Sequence, residues 1–460
     1  MARDTGKPPR RARPFRSRAA RYRAGKALRH KVPRSSHAHW RPSKDRPDVV
    51  ELLQVADRDR VTSLLPVRYG RMASSAFGFL RGSAGVMAHD LTSTPSTGLP
   101  VQMAGDAHVG NFGIFATPER DEVFDVNDFD ETLVGPWEWD LKRLVTSLVL
   151  VGRMNGFPGR ICRVAVRSAI RAYRDRMEAY ARMRYIDIWY AHLDLAEVSL
   201  EVRKEGRRLF AREVAEARDR TGFRAFPRMT SLVRGQSRIR EAPPLIVHYS
   251  TALAERNVRE VFERYSAELP PERRDLLDRY VLQDVAQKVV GIGSVGTRCA
   301  VGLFLSDRDL LDPLFLQIKE AGSSVFEKYL GPAPYPNHAE RVVVGQRSIQ
   351  EASDIFLGFS SAGGRDYYVR QLRDMKLASD LLALGPRSLF GQAQLCGASL
   401  ARSHARTGDP AEIAGYLGSG EAFGTALTAF AEAYARQSES DHQTLVTALK
   451  RGLLPGDPGP

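Results

Sequence analysis

The chain has 460 residues, of which 43% are hydrophobic and 27% are charged, so it can bury a sizeable apolar core. No apolar run approaches the roughly 18 residues that a bilayer-spanning helix needs, and no apolar segment follows the basic start MARDTGKPPRRARPFRSR, as it would in a secretory signal. Three scattered cysteines argue against a disulfide framework and against a zinc site. We therefore expect a cytoplasmic protein without a membrane span.

Nearly all of the net charge of +14 lies at the start of the chain. Residues 1–45 hold 15 Lys and Arg residues and only two acids, a net charge of +13. This composition predicts a disordered basic tail, which could bind nucleic acid or another anionic surface through counterion release. The remainder of the chain is almost neutral, so its composition does not point to nucleic acid.

The patterns that follow the tail predict helices first and extended segments next. After short helices, residues 99–129 predict a hairpin whose turn is TPERDE. Residues 160–220 have apolar positions at helical spacing, and ERRDLLDRYVLQDVAQKVV predicts another helix that leads into GIGSVGT. Residues 289–373 are rich in predicted strands, interrupted by one predicted helix, NHAERVVVGQRSIQEASDIFL, and helical patterns resume near Lys376.

This order predicts an α+β fold in which a small antiparallel β lobe is inserted into a mainly helical lobe. We expect four segments: a disordered basic tail at 1–45, a helix-rich lobe at 46–275, a β lobe at 276–376, and a helical return to the large lobe at 377–460.

The stretch GIGSVGT places Gly291, Gly293 and Gly296 at G-x-G-x-x-G spacing, with Ser294 between them. Glycines let backbone N–H groups approach phosphate oxygens closely. A Rossmann motif needs a strand before the loop and a helix after it, whereas here a helix is predicted before it and a strand after it. A lysine on the next strand, Lys319 in LFLQIKEA, suits the protein-kinase arrangement instead. The alternative is a lysine that snorkels to the surface.

The stretch GDAHVGN and the stretch NDFDE carry the residues for phosphoryl transfer. Asp106 is followed five residues later by Asn111, and Asp128 follows across the predicted hairpin. In kinase-type enzymes an aspartate accepts the acceptor's hydroxyl proton, and an asparagine and a second aspartate hold metal. Oxygen ligands suit Mg²⁺, and Asp130 could add one more. The alternative for NDFDE is an ordinary acidic turn.

Two further polar residues lie near these motifs. His108 has no second histidine or cysteine at ligand spacing, so we expect it to hydrogen-bond within its loop rather than to bind zinc. Asp140, in WEWDLKRL, either caps its helix or holds the backbone of the loop that carries Asp106. We favour the second role.

The chain resembles a bacterial family known as domain of unknown function 2252. The resemblance covers most of residues 65–405 and lies in FGFLRGSA, GDAHVGNFGIF, VFDVNDFDETLVGPWEWDLKRL, DVAQKVVGIGSVGTR, LFLQIKEA, GQRSIQEASDIFLG and YYVRQLRDMK. It implies a protein-kinase-like fold, nearest to the aminoglycoside and choline phosphotransferases. Their catalytic pattern, HGDxHxxN followed by IDFxD, is matched except that Ala104 replaces the histidine and Asn127 precedes the aspartate.

The order of the motifs departs from that of a kinase. Here the catalytic loop and metal aspartate come first, and the glycine loop and lysine follow, which implies a circular permutation. Permutation is physically tolerable when the new chain breaks lie at the surface. The helix after Lys319 offers Glu340 and Glu351 as its acidic partner, and Glu327 is closer in sequence; Glu351 is our prediction.

The sequence thus predicts an ATP- and Mg²⁺-dependent phosphotransferase that acts on an unidentified, small-molecule acceptor. Three alternatives remain open: adenylyl transfer or nucleotide binding without catalysis on the same fold, a metal-dependent phosphohydrolase, and a nucleic-acid-associated protein that acts through residues 1–45.

Overall fold

The computed structural model describes residues 15–193, 222–289, 291–308, 312–372, 377–378 and 380–456. These residues form an α+β chain in which a helical part is separated from an antiparallel sheet, as the sequence predicts. The helical pattern predicted for residues 160–220 lies partly outside the described ranges. No helix within those ranges is long and apolar enough to cross a membrane.

The helical part is built from both ends of the chain. Its N-terminal helices are α1 (Arg18–Lys31), α2 (Val49–Ala56), α3 (Leu65–Ala73), α4 (Ala76–Gly82), α5 (Ala84–Leu91), α6 (Trp137–Met154), α7 (Gly159–Tyr180) and α8 (Tyr185–Tyr190). Its C-terminal helices are α14 (Pro386–Thr407), α15 (Pro410–Leu417) and α16 (Ala422–Lys450). α14 lies so close to α7 that a Cβ on Gly397 would stand 2.1 Å from the Ala169 carbonyl oxygen. One apolar core therefore joins segments that are far apart in sequence.

Short paired strands lie between the helices of the helical part and flank its loops. β1 (Pro100–Met103) pairs with β4 (Leu133–Pro136), and β2 (Phe112–Ala116) forms the predicted hairpin with β3 (Glu122–Val126). β13 (Leu377–Ala378) joins this hairpin along β2. The hairpin confirms the prediction for residues 99–129.

The large sheet has six antiparallel strands in the order β11–β12–β10–β9–β8–β7. The strands are β7 (Ile246–Val247), β8 (Tyr280–Lys288), β9 (Cys299–Ser306), β10 (Pro313–Ala321), β11 (Gly358–Ala362) and β12 (Arg365–Gln371). The other elements around it are α9 (Gly222–Met229), β5 (Thr230–Val233), β6 (Gln236–Ile239), α10 (Ala252–Glu268), α11 (Pro271–Leu277), α12 (Glu327–Leu330) and α13 (His338–Ile349).

The sheet is covered on both faces. Val261, Phe262 and Tyr265 of α10 pack on the face that carries Ile318, while the β5–β6 hairpin and α13 cover the face that carries Lys319. The predicted boundary at residue 276 is therefore wrong, because residues before it already pack on the sheet. Short apolar helices look alike in sequence whichever layer they join.

The prediction of a disordered tail at 1–45 is wrong for residues 15–45. α1 packs on α15, where Gly25 lets the two backbones meet: a Cβ there would stand 1.9 Å from the Glu412 carbonyl oxygen. Arg29 Nε donates to the Tyr416 carbonyl oxygen at 2.9 Å, and Arg34 Nη1 donates to the Leu417 carbonyl oxygen at 2.6 Å. Basic side chains stabilise the exposed carbonyls at a helix C-terminus, so part of the basic charge serves the fold.

The prediction of a helix over ERRDLLDRYVLQDVAQKVV is also wrong for the second half of that segment. α11 ends at Leu277, and Tyr280–Lys288 is the strand β8. Asp284 and Ala286 are buried on one face of β8 and Val285 on the other. A strand that is buried on both faces lacks the polar alternation that identifies a strand in sequence. The glycine-rich loop consequently lies between two strands, β8 and β9.

A buried ion-pair network joins the hairpin to α14. Asp125 accepts hydrogen bonds from Arg402, from the Ser399 hydroxyl and, at 2.8 Å, from the Glu351 backbone N–H. Asp125 and Arg402 are fully buried. Glu351 lies beyond the end of α13 at Ile349, and its carboxylate stands 3.9 Å from Arg402 Nε. The prediction that Glu351 pairs with Lys319 from within a helix is therefore wrong.

We expect Glu351→Gln to stabilise the protein in alkaline but not in acidic solution. Burial, only partly offset by Arg402, raises the pKa of Glu351 from 4.5 to about 7. The folded wild type therefore loses stability as the pH rises from 4.5 towards 7, and the neutral glutamine removes this loss. Urea unfolding should show the variant more stable by roughly 2–3 kcal/mol at pH 8 and unchanged at pH 4.

The control is Glu263→Gln, which neutralises an exposed glutamate on α10 and should leave both stabilities within about 0.5 kcal/mol of wild type. A Glu351→Gln variant that is less stable at pH 8 would show that the ion pair with Arg402 outweighs burial.

Candidate functional site

A tight loop presents Asp106 at the end of β1. Asp140, at the start of α6, accepts hydrogen bonds from the backbone N–H groups of Ala104 (2.7 Å) and Gly105 (3.0 Å). Asn111 Nδ2 donates to the Asp106 carbonyl oxygen at 2.8 Å and closes the loop. The preferred prediction for Asp140, that it holds this loop from below, is confirmed.

Gly105 is required in this turn by both its conformation and its surroundings. Its φ is +83°, and a Cβ would stand 2.2 Å from the Glu131 carbonyl oxygen. Only glycine adopts such a conformation without strain. The loop that carries Asp106 thus lies directly against the NDFDE segment.

The Asp106 carboxylate has two distinct sides. Oδ1 accepts hydrogen bonds from the buried guanidinium of Arg143, which also donates to the Leu80 carbonyl oxygen at 2.9 Å. Oδ2 stands 3.6 Å from His108 Nε2. Burial, reinforced by the charges of Arg81 and Arg143, holds the pKa of His108 well below its usual range, so its ring is neutral. One carboxylate oxygen is therefore fixed, and the other faces the cleft.

Lys319 lies between the two aspartates of NDFDE. Its Nζ is 3.4 Å from Asp128 Oδ1 and closer still to Asp130 Oδ2. Burial opposes protonation of this lysine, but Asp128 and Asp130 outweigh burial and hold its pKa well above the usual value. Burial and the neighbouring Asp130 raise the pKa of Asp128. The lysine predicted on a strand is thus buried and paired, and its partners are these aspartates rather than a helix glutamate.

Asp130 is the more heavily engaged of the two aspartates. It also accepts hydrogen bonds from the Tyr368 hydroxyl at 2.8 Å and from the Ser294 hydroxyl at 3.1 Å. Asp128, by contrast, lines the cleft and is contacted through Oδ1 by Lys319 alone among the described residues. Asp128 is therefore the better placed of the two to take a further ligand.

The glycine-rich loop lies over Asp106 and is held from behind by arginines. A Cβ on Gly293 would stand 3.9 Å from Asp106 Oδ2. Arg68 Nη1 donates to the Ile292 carbonyl oxygen at 3.0 Å, and Arg60 Nη1 donates to the Val295 carbonyl oxygen at 2.6 Å. These bonds hold the loop carbonyls on the side of α3, so the loop has a fixed shape before any ligand arrives.

The other two loop glycines differ in whether a side chain could replace the glycine hydrogen. Gly296 has a φ of +93° and packs against Arg60, so a side chain there would be strained. Gly291 has no close neighbour: a Cβ would meet only Arg81 Nη2, at 3.9 Å. Of the predicted loop residues, Gly293 and Ser294 line a cleft, whereas Gly291 and Gly296 do not.

This cleft has a volume of about 260 Å³. Its lining residues are Asp106, Asp128, Asp130, Glu131, Gly293, Ser294, Arg60, Arg68, Arg81 and parts of α2, α5 and β10. A larger cavity of about 340 Å³ lies on the opposite face of the sheet, between β10 and α10. It contains none of the predicted site residues.

The donor set of the cleft suits magnesium only in part. Asp128 and Asp130 offer oxygen ligands of the kind that Mg²⁺ prefers, whereas Asn111, the third predicted ligand, is buried behind the Asp106 loop and does not line the cleft. Among the described residues, however, no three acidic, histidine or cysteine side chains are arranged to hold a metal ion by themselves. A magnesium ion here would need further oxygens from a bound phosphate, as Mg²⁺ usually does.

Several residues of the cleft have no signal in the sequence patterns. Arg60, Arg68, Arg81 and Arg143 occur in segments that read as ordinary amphipathic helices, where arginine is typical of a solvated face. Tyr368 is the cross-strand neighbour of Lys319, which could have been found only if the register of β10 and β12 had been known.

From residue 60 to residue 448 the sequence matches a protein family described as "Uncharacterized protein conserved in bacteria (DUF2252)". Neither the curated proteins nor the solved structures contain a match to the chain.

Proposed function

The chain belongs to this bacterial family of uncharacterised proteins, and from that premise we propose that it is an ATP- and Mg²⁺-dependent phosphotransferase with a small-molecule acceptor. One observation supports the proposal above all others. Lys319 and Ser294 contact Asp128 and Asp130, so the glycine-rich loop, its lysine and the NDFDE segment meet in one cleft.

We propose that this cleft is kinase-like and circularly permuted. The order β8, glycine-rich loop, β9, Lys319 on β10 and then α13 is the order of the corresponding parts in a protein kinase. The loop with Asp106 and the hairpin with Asp128 precede these parts in sequence instead of following them. The proposed site therefore differs from that of a protein kinase in how its parts are connected and in the partners of the lysine, which are Asp128 and Asp130 instead of a helix glutamate.

In this proposal each residue of the cleft has a separate role in phosphoryl transfer. Lys319 would exchange part of its bonding with Asp128 and Asp130 for the α- and β-phosphates of ATP, which the Ser294 hydroxyl would also contact. Asp128 and Asp130 would hold Mg²⁺, which would supply positive charge beside the phosphates. Asp106, fixed by Arg143 through Oδ1, would accept a hydrogen bond from the acceptor's hydroxyl through Oδ2 and so orient it.

Calorimetric titration of ATP with Mg²⁺ into the purified protein tests this proposal. We expect the wild type to bind with a Kd between about 1 μM and 1 mM. Asp128→Asn and Lys319→Met should each weaken binding at least about tenfold, since each removes a charge that meets the nucleotide or its metal. Circular dichroism must show each variant folded at the temperature of the titration.

Matched controls are Asp275→Asn and Lys450→Met, two exposed charges outside the cleft. The proposal fails if the folded wild type binds neither ATP nor GTP with Mg²⁺ or Mn²⁺. If it binds but transfers adenylate, the mass of the product identifies adenylyl transfer. A phosphohydrolase would instead release phosphate at a rate that Lys319→Met leaves unchanged.

A further inference from the structure

Arg81 differs from the other arginines of the cleft because its side chain forms no hydrogen bond or ion pair with the residues that the structure describes. It lies near the end of α4, half-buried, with its guanidinium 5.9 Å from the centre of the Phe77 ring. Its Nε is buried without a hydrogen-bond partner, and it forms no ion pair with any described residue. Arg60 and Arg68 both pair with Asp57, and Arg143 pairs with Asp106.

Arg81 stands at the acceptor end of the cleft. A Cβ on Gly291 would lie 3.9 Å from Arg81 Nη2, and a Cβ on Gly293 would lie 3.4 Å from the Arg81 carbonyl oxygen. Arg81 lines the same cavity as Asp106 and Asp128. Burial outweighs the attraction of those two carboxylates and lowers the pKa of Arg81, but a guanidinium remains charged at neutral pH.

A half-buried guanidinium without a partner is costly, because it loses hydration and gains no hydrogen bond in return. A planar guanidinium binds phosphate oxygens with two parallel hydrogen bonds. The Arg81 guanidinium is therefore free to bind an anion that enters the cleft beside Asp106.

We propose that Arg81 binds the terminal phosphoryl group of the nucleotide, the group that is transferred. This inference rests on the proposed function. Arg81 would bind the γ-phosphate and offset its charge. Lys319 would contact the α- and β-phosphates, so each of the two cations would bind a different part of the triphosphate. The phosphoryl group then lies between Arg81 and Asp106, where the acceptor's hydroxyl is oriented.

The test compares ATP with ADP, both with Mg²⁺, in calorimetric titrations of wild type, Arg81→Gln and Arg81→Lys. Arg81→Gln should weaken ATP binding about 30-fold and ADP binding less than about threefold, because ADP lacks the group that Arg81 contacts. Arg81→Lys should recover part of the loss, since it keeps the charge but not the paired hydrogen bonds. The control is Arg58→Gln, which removes an exposed arginine that does not line the cleft.

The outcomes separate this inference from the proposed function. Wild type that binds neither nucleotide overturns both. Wild type that binds ATP, with Arg81→Gln weakening neither nucleotide or both equally, overturns the role of Arg81 and leaves the phosphotransferase proposal standing. Thermal unfolding of each variant shows that it is folded, and if Arg81→Gln does not fold, the ATP-to-ADP ratio of Arg81→Lys decides in its place.

Discussion

Arg402→Met is expected to lower the free energy of unfolding by about 4 kcal/mol. Arg402 and Asp125 are fully buried and paired, and the arginine also donates to the Ile349 carbonyl oxygen at 3.2 Å. Methionine fills much of the same volume but leaves the Asp125 carboxylate charged in an apolar interior. Urea unfolding at pH 7 measures the loss.

The double variant Asp125→Asn/Arg402→Met separates charge from packing. Removing both charges should recover roughly half of the loss, because the fully buried Asp125 carboxylate is gone, although Glu351 still lacks Arg402. Arg436→Met, an exposed arginine of α16, should change stability by less than about 0.5 kcal/mol. A double variant no more stable than Arg402→Met would show that Arg402 acts through packing and its bond to Ile349.

Lys319→Met should cost about 3 kcal/mol of stability in the absence of any ligand. The lysine is 1% exposed, whereas the side chains of Asp128 and Asp130 are 31% and 26% exposed. Its removal leaves two neighbouring carboxylates without their shared counter-charge. Partial hydration of these carboxylates keeps the cost below that of Arg402→Met, and chemical unfolding at pH 7 without nucleotide or divalent metal measures it.

The variant Lys319→Met/Asp130→Asn serves as the control for this prediction. It leaves one carboxylate instead of two, so we expect most of the lost stability to return. Equal stability of the single and double variants would mean that the lysine acts through its aliphatic stem. This stability effect is independent of nucleotide binding, so it tests the ion cluster even if the protein binds no ATP.

The local part of the candidate site could be predicted from sequence because it is built from short-range contacts. Asp106, Asn111 and Asp128 lie on one hairpin and its flanking loop, and Asp140 begins the helix that follows. The spacing of such residues fixes their neighbourhood once the hairpin is predicted. Their roles in binding or catalysis stay predictions.

The distant contacts could not be obtained from spacing. Lys319 contacts Asp128 because β10 lies in the middle of the large sheet. The side chains on one face of β10 lie against the segment that follows the β2–β3 hairpin. That contact was not predicted, because the resemblance to protein kinases led us to name Glu351 as the partner of Lys319. The same resemblance misled the search for an acidic partner: on α13 it is Arg341 that faces the site, where it donates to the Asp130 carbonyl oxygen at 2.8 Å.

Two predictions are wrong because the same sequence pattern occurs in different structural environments. β8 is buried on both faces, so its residues show no alternation. The basic segment at 15–45 has the composition of a disordered arm, yet Arg29 and Arg34 bind the carbonyl end of α15. The composition of the segment shows that it is basic, but it does not show that carbonyl oxygens far along the chain will bind these arginines.

The construction of the helical part from both ends of the chain has a consequence during synthesis. Asp106, Asp128 and Asp130 leave the ribosome well before Lys319, and α14 to α16 emerge last. Until these helices emerge, the apolar faces of α6 and α7 that pack on them have no cover, and until Lys319 emerges Asp128 and Asp130 lack their shared counter-charge. We expect the nascent chain to depend on chaperone protection until termination and to fold slowly afterwards, because its core contacts are largely non-local.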